Sequence, residues 1–205
     1  MAREAIATEN AVQRSVDTHK TSAFGVSERQ WLVAEVKPTQ ERSVRDLLLK
    51  LGYEAYVPSQ ERVAVYKNYT RHKSEHPIIP GVVFVRLHED DVRRAAASSQ
   101  HIYRFMPNRA RQRDEHGGLH YAVVTSTEMQ QLDYICRKAE NPVVFADEPL
   151  KVGQKVRIMR GPLAGVEGFF LEQGNSTFVV VKVSIGRNSH VKTEVQKDDV
   201  QPISK

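Results

Sequence analysis

The sequence predicts an α+β protein in which an N-terminal α/β sandwich is linked to a small C-terminal all-β barrel. Up to about residue 140, strand-like runs alternate with segments whose apolar residues recur at helical spacing. Beyond Leu150 the helical periodicity is lost, and apolar and polar residues alternate between turns. We therefore expect a disordered leader over residues 1–29, an N-terminal domain over 30–140, a linker over 141–150 and a barrel domain over 151–205.

The N-terminal domain is predicted to begin with a strand over Trp31–Val36, which Pro38 stops. We expect Thr39 to cap a helix that runs to Leu51, because the apolar residues of this segment fall at i, i+3, i+4 and i+7. Gly52 then supplies the residue after the helix end, where a left-handed conformation is common. A strand and a helix in so short a segment, with another strand directly after them, indicate an α/β sandwich.

The later elements of this domain follow from the same patterns. Further strands are expected over residues 54–58, 82–87, 101–106 and 121–124, and a short helix from Asp90 or Asp91 to Ser98. Residues 61–77 alternate basic with aromatic residues, which favours a strand or long hairpin leading into a solvated loop. Thr125 and Glu128 have the spacing of a capping box, so a last helix should begin there and end before Pro142.

The C-terminal domain is predicted from short alternating strands between glycine turns. The strands are expected over residues 155–159, 166–172, 177–184 and 190–195, with turns at 161–162, 173–175 and 186–188. Closing such short strands into a barrel leaves few unpaired edges.

Composition limits the possible classes of function. The chain has 205 residues, a net charge of +5 and a sequence pI of about 9.3, which is compatible with a polyanionic partner. The single cysteine, Cys136, excludes an intramolecular disulfide and a multi-cysteine zinc ribbon. No apolar run approaches the ~20 residues of a membrane span, and the leader lacks the apolar core of a secretory signal. We expect a cytoplasmic monomer without membrane contact.

The sequence predicts no enzyme, no cofactor and no metal site. His72 and His76 are four residues apart, as are His116 and His120, but neither pair lies in a predicted helix or beside further ligands. Nucleophile-elbow and phosphate-loop motifs are absent. Cys136 falls on the apolar face of the last helix and is interpreted as a core residue.

Two resemblances identify a family. Residues 153–168 resemble the KOW motif, a hairpin of an SH3-like barrel, and the matching residues are Gly161, Pro162, Gly165, Val166 and Gly168. Upstream, Trp31, the helix after Pro38 and the segment 77–85 with its Pro80–Gly81 turn resemble the NusG N-terminal domain, or NGN domain. Together they cover the chain from about residue 30 onward, which is therefore similar to NusG-family transcription factors.

The resemblance implies a factor that binds the clamp helices of the largest subunit of RNA polymerase and promotes elongation. The residues that match the polymerase-binding patch of the family are Val33, Glu35, Ile79, Pro80, Val82 and Phe84. For Ile79 and Phe84, a place in the core of the sheet is an equal alternative. Val83 and Val85 project from the opposite side of the strand to Val82 and Phe84, and for them a place in the core is the preferred interpretation.

A second polymerase contact, with the gate loop, is implied for the start of the second helix. The matching positions are Arg94, Ala95 and Ala96, and the two alanines depart from the polar pattern of the family. Arg94 is therefore the only candidate.

Basic and aromatic residues form a candidate nucleic-acid surface, and they are Lys67, Tyr69, Arg71, His72 and Lys73. Lysine and arginine neutralise phosphates, while tyrosine and histidine stack on unpaired bases. These residues would face the non-template strand or the upstream DNA. The alternative is a solvated hairpin without a partner. A second basic run, which either extends this surface or belongs to a solvated loop, contains Arg104, Arg109, Arg111 and Arg113.

Residues 36–38, 51–58 and 79–81 resemble the UpxY-type antiterminators, specialised paralogues that act on capsular polysaccharide operons. The family resemblance also implies that the barrel recruits a second partner, ribosomal protein S10 or Rho, through loops at 161–166 and 186–188. The alternative function is that of a ribosome-associated, RNA-binding KOW protein that does not contact polymerase. An enzyme has no catalytic constellation to support it.

Overall fold

The computed structural model describes residues 28–65, 71–108, 120–146, 153–185 and 188–203. Within these ranges the chain forms a five-stranded sheet, a six-stranded sheet, a two-stranded hairpin and three α-helices. The predicted α+β class, with an N-terminal sandwich and a β-rich C-terminal part, is confirmed. Apart from residues 28 and 29, the expected leader lies outside the described residues.

In chain order, the N-terminal elements are β1 (Gln30–Val36), α1 (Glu41–Lys50), β2 (Glu54–Tyr56), β3 (Ser59–Val65), β4 (Arg71–Pro77), β5 (Val82–Leu87), α2 (Val92–Ala97), β6 (Ile102–Phe105), β7 (Val123–Val124) and α3 (Ser126–Lys138). The C-terminal elements are β8 (Val143–Ala146), β9 (Lys155–Ile158), β10 (Glu167–Gln173), β11 (Ser176–Ser184), β12 (Asn188–Val195) and β13 (Val200–Pro202). Short 3-10 turns over Glu89–Asp91 and Lys197–Asp199 precede α2 and β13.

The N-terminal sheet has the strand order β2-β5-β1-β6, with β7 also paired to β1, and all pairs are antiparallel. Val33 of β1 lies opposite Phe84 of β5, and Glu35 lies opposite Val82. Because side chains alternate across a strand, these four residues share one face of the sheet. The residues between them on β5 project from the other face.

The two faces of this sheet are covered by different elements. One face packs against α1 and α2, where Val83 and Val85 share an apolar cluster with Val44, Leu48 and Ala95. We call it the helix face. The opposite face belongs to a second apolar cluster that also contains residues of α3 and of the C-terminal sheet. We call the six-stranded C-terminal sheet the barrel, and this face of the N-terminal sheet the barrel face.

The start of α1 differs from the prediction. Thr39 does not cap the helix; it adopts a φ of 72°, which is rare for a β-branched residue, and the N-cap residue Gln40 makes no capping bond with its side chain. The first turn is instead fixed by the buried carboxylate of Glu41, which accepts a hydrogen bond from the backbone N–H of Gly81 at 2.7 Å. The helix end is as predicted, since Gly52 has a φ of 86°.

The predicted capping box of α3 is confirmed. The Oγ1 of Thr125 accepts a hydrogen bond from the backbone N–H of Glu128 at 3.2 Å, and the Glu128 carboxylate accepts one from the Thr125 N–H at 2.8 Å. The buried residues of the helix are Met129, Leu132, Ile135 and Cys136. Helix α3 therefore presents its apolar side to the barrel face.

The C-terminal sheet has the order β13-β9-β10-β11-β12-β8, and its four predicted strands correspond to β9, β10, β11 and β12. The linker expected over residues 141–150 requires correction, because residues 143–146 form β8 and pair with β12. The prolines that bound this segment favour a loop, but its apolar side chains and ladder hydrogen bonds place it in the sheet. Residues 147–150 lie outside the described residues.

Candidate functional site

Four of the candidate polymerase-binding residues lie on the barrel-face side of the sheet and are almost completely buried. The exposed fraction of the residue is 0% for Val33 and Phe84, 1% for Ile79 and 4% for Val82. All four belong to the apolar cluster that continues into the C-terminal sheet. Of the other predicted residues of the patch, Pro80 is exposed and Glu35 is partly exposed, so the patch combines a buried apolar part with a rim that reaches solvent.

A groove marks the border between the barrel face and the barrel. Ile79, Pro80 and Val82 line it from the N-terminal side, and Phe145 and Ile185 line it from the barrel side. We call it the seam groove. Its volume is about 270 Å³, so apolar residues from both domains meet here without filling the space completely. The seam groove is therefore a border between the N-terminal and C-terminal parts of the chain.

The polar rim of the seam groove includes Glu35, another candidate residue. Its carboxylate accepts a hydrogen bond from Arg104 Nε at 2.7 Å, and both side chains are partly exposed. Tyr103 lines the same groove and is 60% exposed. The border of the groove thus combines an ion pair with an exposed aromatic ring.

The turn before β5 is locked to the start of α1. Gly81 has a φ of 72°, and its carbonyl accepts a hydrogen bond from the Val36 N–H at 2.9 Å. A Cβ at this position would lie 3.2 Å from the Val36 carbonyl oxygen, so glycine suits both the angle and the contact. Together with the bond to Glu41, these contacts hold Ile79 and Pro80 at the rim of the seam groove. The role of Glu41 had no signal in the sequence beyond its place in the first helical turn.

Helix α3 is hydrogen-bonded to the barrel at three points. Gln131 Nε2 donates to the Glu167 carbonyl at 3.1 Å, and Tyr134 Oη donates to the Pro162 carbonyl at 3.1 Å. At the start of the helix, Ser184 Oγ donates to the Glu128 carboxylate at 2.7 Å. The same carboxylate completes the capping box, so one side chain both begins α3 and contacts β11.

Gln60 of β3 connects the hairpin to the junction between the two domains. Its Nε2 donates to the carbonyls of Ala139 and Asn141, each at 3.1 Å, and its Oε1 accepts from the Val143 N–H at 3.1 Å. Asn141 Nδ2 in turn donates to the Glu194 carbonyl of β12 at 3.0 Å. The glutamine thereby satisfies backbone groups at the end of α3 and at the start of β8, a role that no sequence pattern indicated.

The predicted hairpin is confirmed as the antiparallel pair β3–β4. Lys67 and Tyr69, two of its candidate nucleic-acid residues, lie outside the described residues, and Arg71 and His72 open β4. Lys73 is exposed and forms an ion pair with Glu61 at 2.8 Å, and this hydrogen bond raises the pKa of the lysine. In the second basic run, residues 109–113 also lie outside the described residues.

Arg94, the candidate for a second polymerase contact, lies on α2 and therefore on the helix side of the sheet. Its side chain is 82% exposed and lies 3.8 Å from the carboxylate of Asp91. Ala95 is buried in the helix-face core, and Ala96 packs against it. Arg94 and the seam groove thus lie on opposite sides of the N-terminal sheet.

The glycines of the KOW motif occupy positions where a side chain would be strained. Gly161 and Gly165 have φ angles of 80° and 90° in the turn between β9 and β10. At Gly168 a Cβ would lie 2.6 Å from Val179 Cγ1 and 2.7 Å from the Val180 carbonyl oxygen. The first two glycines are required by backbone angle and the third by close packing.

The rest of the KOW turn contributes one buried side chain and one contact with α3. Val166 is buried in the barrel-face cluster. Pro162 is exposed, and its carbonyl is the one that Tyr134 contacts. Part of the loop expected to recruit a further partner is therefore already occupied by α3.

Two titratable groups in the apolar cluster of the barrel face, Cys136 of α3 and Tyr56 of β2, are stabilised in their neutral forms. Burial raises the pKa of the Cys136 thiol to about 12. Burial also raises the pKa of Tyr56, with a further contribution from Cys136 and Asp133. The thiol is thus unsuited to nucleophilic chemistry, in agreement with its interpretation as a core residue.

The described residues contain no group of three or more histidine, cysteine, aspartate or glutamate side chains that could hold a metal ion. In the same part of the chain, none of the helices has the length and apolar character needed to cross a membrane.

Comparison with known proteins gives one family match. The profile of the NusG family, described as "Transcription termination factor nusG", matches residues 29–132, just over half of the chain. No curated protein matches the chain significantly. The matched segment begins just before β1 and ends within α3, so it contains the whole N-terminal sheet.

Among solved structures, the chain is similar to one described as "Domain interaction in Thermotoga maritima NusG". The two share 18% identity with a TM-score of 0.46, over 86% of this chain and 98% of that chain. Two conformations of the MjSpt4:Spt5 complex share 13% and 14% identity, with TM-scores of 0.27 and 0.28. These alignments cover 85% of this chain and 99% and 97% of the others. The family assignment depends on the profile match: the chain belongs to the NusG family of transcription factors.

Proposed function

We propose that this protein is a transcription elongation factor and antiterminator that binds RNA polymerase through its N-terminal domain. We further propose that the barrel covers part of the polymerase-binding surface until it is displaced. The observation that carries this proposal is the seam groove, where Ile79 and Val82 face Phe145 and Ile185 of the barrel. Family membership supports the role in elongation.

The burial of the candidate residues explains why the barrel must move. A binding surface has to be accessible to solvent before its partner arrives, yet Ile79 and Val82 are at most 4% exposed. Both lie at the margin of the barrel, so its departure would open an apolar patch with a polar rim, as protein interfaces commonly have. Val33 and Phe84 lie deeper in the same cluster and would support this patch from below.

The contact between α3 and the barrel is held by hydrogen bonds that a partner's contacts could replace. The hydrogen bonds from Gln131, Tyr134 and Ser184 are each worth about 0.5–1.5 kcal/mol net. Reversing a two-state equilibrium from 1:99 to 99:1 requires about 5.5 kcal/mol of differential binding. A polymerase that binds the uncovered surface can supply such a difference, because it binds only the open state.

The barrel loops gain a partner in the same step. Tyr134 of α3 occupies the Pro162 carbonyl when the domains are together. Release of the barrel frees this loop to bind a second protein, for which ribosomal protein S10 and Rho are the candidates by family resemblance. Polymerase binding and recruitment of the second protein are thereby coupled.

The hairpin β3–β4 is the proposed nucleic-acid contact. It carries Lys73 at the surface, and Gln60 at its base is hydrogen-bonded to the domain junction. Non-template or upstream DNA bound along the hairpin would therefore act close to the segment that joins the two domains. Resemblance to the UpxY-type paralogues supports capsular polysaccharide operons as targets, and a cytoplasmic monomer is the form in which we expect the protein to act.

A reversible cross-link tests the proposal. Tyr134→Cys and Pro162→Cys place thiols on the two sides of one seam hydrogen bond, and a bismaleimide with a reducible bridge can join them. Cross-linked protein should lose binding to purified RNA polymerase, and reduction should restore it. The controls are the two variants that carry only one of these substitutions, treated identically; the native Cys136 is buried in all of them.

The outcomes separate the two parts of the proposal. If cross-linked and reduced proteins bind polymerase equally, the barrel does not cover the binding surface. If neither binds while the wild-type chain is retained on ribosomes, polymerase binding itself is wrong and the ribosome-associated alternative is favoured. A transcription assay over a pause site and a Rho-dependent terminator then tests elongation and antitermination directly.

A further inference from the structure

The outward side of the barrel carries aromatic and basic side chains that the proposed polymerase contact does not use. The apolar and basic residues of this side of β9 to β12 include Lys155, Phe169, Leu171, Phe178, Val180, Lys182 and Lys192, and the register also places the carboxylates of Glu167 and Glu194 there. We call it the outer face. Their common orientation follows from the register, because Phe169 lies opposite both Lys155 and Val180, and Val180 lies opposite Lys192.

Each phenyl ring of the outer face lies beneath a lysine. Lys182 Nζ is 5.0 Å from the centroid of the Phe169 ring, and Lys192 Nζ is 4.9 Å from that of Phe178. Both rings are partly exposed, whereas Val180 beside them is fully buried. The rings and the lysine stems thus form an ordered layer over the strand.

The charge of this layer is incompletely neutralised. Glu167 is shared between Lys155 and Arg157 at the edge of the face, and the exposed Glu194 lies opposite Phe178. Two carboxylates thus face four basic side chains. Among the described residues, neither Lys182 nor Lys192 has a carboxylate within ion-pair distance, and Lys192 donates instead to the amide oxygen of Gln173 at 2.8 Å. The face therefore offers cations to an anionic ligand without first breaking ion pairs.

We propose that the outer face binds single-stranded nucleic acid. Bases would stack on Phe169 and Phe178, and the two lysines would turn from the rings to the neighbouring phosphates. An acidic peptide would use the cations but leave the rings without a partner, so the paired arrangement favours a ligand that has both flat bases and regular negative charge. Binding at the outer face would be independent of polymerase binding, because the outer face points away from the barrel interior and the seam groove.

The test uses the full chain and a fluorescently labelled oligothymidylate of about 12 nucleotides, within the range that small barrels bind. The aromatic variant is Phe169→Leu with Phe178→Leu, which keeps apolar volume but removes the rings. The cationic variant is Lys182→Gln with Lys192→Gln. The charge-matched control is Lys50→Gln with Lys138→Gln, at exposed positions on α1 and α3.

We expect the aromatic variant to bind about tenfold more weakly with an unchanged salt dependence, because stacking is lost but charge is not. The cationic variant should bind more weakly and lower the slope of log affinity against log salt by about 1.4, since each phosphate contact on a single strand contributes ~0.7. The control should change neither quantity by a comparable amount. Circular dichroism verifies that each variant is folded. If the aromatic variant is not folded, the affinity and salt dependence of the cationic variant test the proposal.

Three results would overturn the proposal. One is an absence of binding by the wild-type chain. Another is an aromatic variant that folds and binds as the wild type does. The third is a polyglutamate peptide that displaces the oligonucleotide as effectively as unlabelled oligothymidylate does, which would make the face a site for acidic protein.

Discussion

The two faces of the N-terminal sheet are both buried, but they are covered by segments at very different distances along the chain. The helix face is covered by α1 and α2, which lie next to its strands in sequence. The barrel face is covered partly by Phe145 and Ile185, residues that follow the whole N-terminal domain. One core is therefore built into the domain, whereas the other is completed by a second domain.

Under the proposed function, this difference explains how one sheet is both stable and able to expose a surface. The helix face is continuous with its covering helices and cannot open without unfolding the domain. The barrel face has a groove at its margin and hydrogen bonds at its rim, from Gln131 and Tyr134 among others. The proposed separation there would leave both domains with their own secondary structure.

The largest effect is expected on the helix face. Leu48→Ala removes a fully buried side chain and should lower the free energy of unfolding by about 2–5 kcal/mol. The neighbouring Leu49 is 47% exposed, so Leu49→Ala should stay within about 0.5 kcal/mol of the wild type. Urea unfolding measures both changes, and equal losses for the two variants would show that this face is not the permanent core.

A smaller effect is expected at the domain junction. Gln60→Leu removes three hydrogen bonds and should destabilise the junction by about 1–3 kcal/mol. Amide exchange at Val143 should accelerate, because its N–H loses its acceptor. Gln130→Leu, at an exposed position on α3, is the matched control. If Val143 exchanges equally fast in both variants, Gln60 does not secure the junction.

The smallest effect is a titration at the barrel edge beside the seam. Lys155 and Arg157 hold the pKa of the Glu167 carboxyl at about 2, below its ordinary 4.5. Because the folded pKa is depressed, this contribution to stability is present above about pH 4.5 and is lost as the pH falls through about 2. Carbon NMR of the carboxyl should show the low midpoint in the wild type and a higher one in Lys155→Gln. A wild-type midpoint near 4.5 would contradict the ion-paired geometry.

Much of the fold could be predicted because local patterns determine it. Alternation along β5 correctly separates Val83 and Val85 from Val82 and Phe84, and the Thr125–Glu128 spacing identifies the start of α3. Strand β8 was missed because its pairing partner lies more than 40 residues away, and the flanking prolines indicate a loop. The conformation of Thr39 was missed for a related reason, since a distant contact between Glu41 and Gly81 fixes the first turn.

The candidate site was predicted less completely than the fold. The alternation of side chains along the strand and the family resemblance select Val82, and the resemblance selects Ile79. The structure places both on the seam groove. What covers them could not be predicted, because Phe145 lies in an expected linker and Ile185 at the end of a strand. The role of Gln60 was not predicted for another reason. A glutamine that satisfies backbone groups leaves no periodic signal in the sequence.

The most direct test of the account compares two charge substitutions across the seam groove, measured as affinity for purified RNA polymerase. Ile185→Glu should open the seam and leave the N-terminal surface intact, so binding should strengthen by about tenfold if the closed state limits it. Ile79→Glu should also open the seam, but it alters the binding surface itself and should weaken binding by about thirtyfold or more, as for a central interface residue. Equal affinities for the two variants, or weaker binding by Ile185→Glu, would contradict the claim that the barrel covers the polymerase-binding surface.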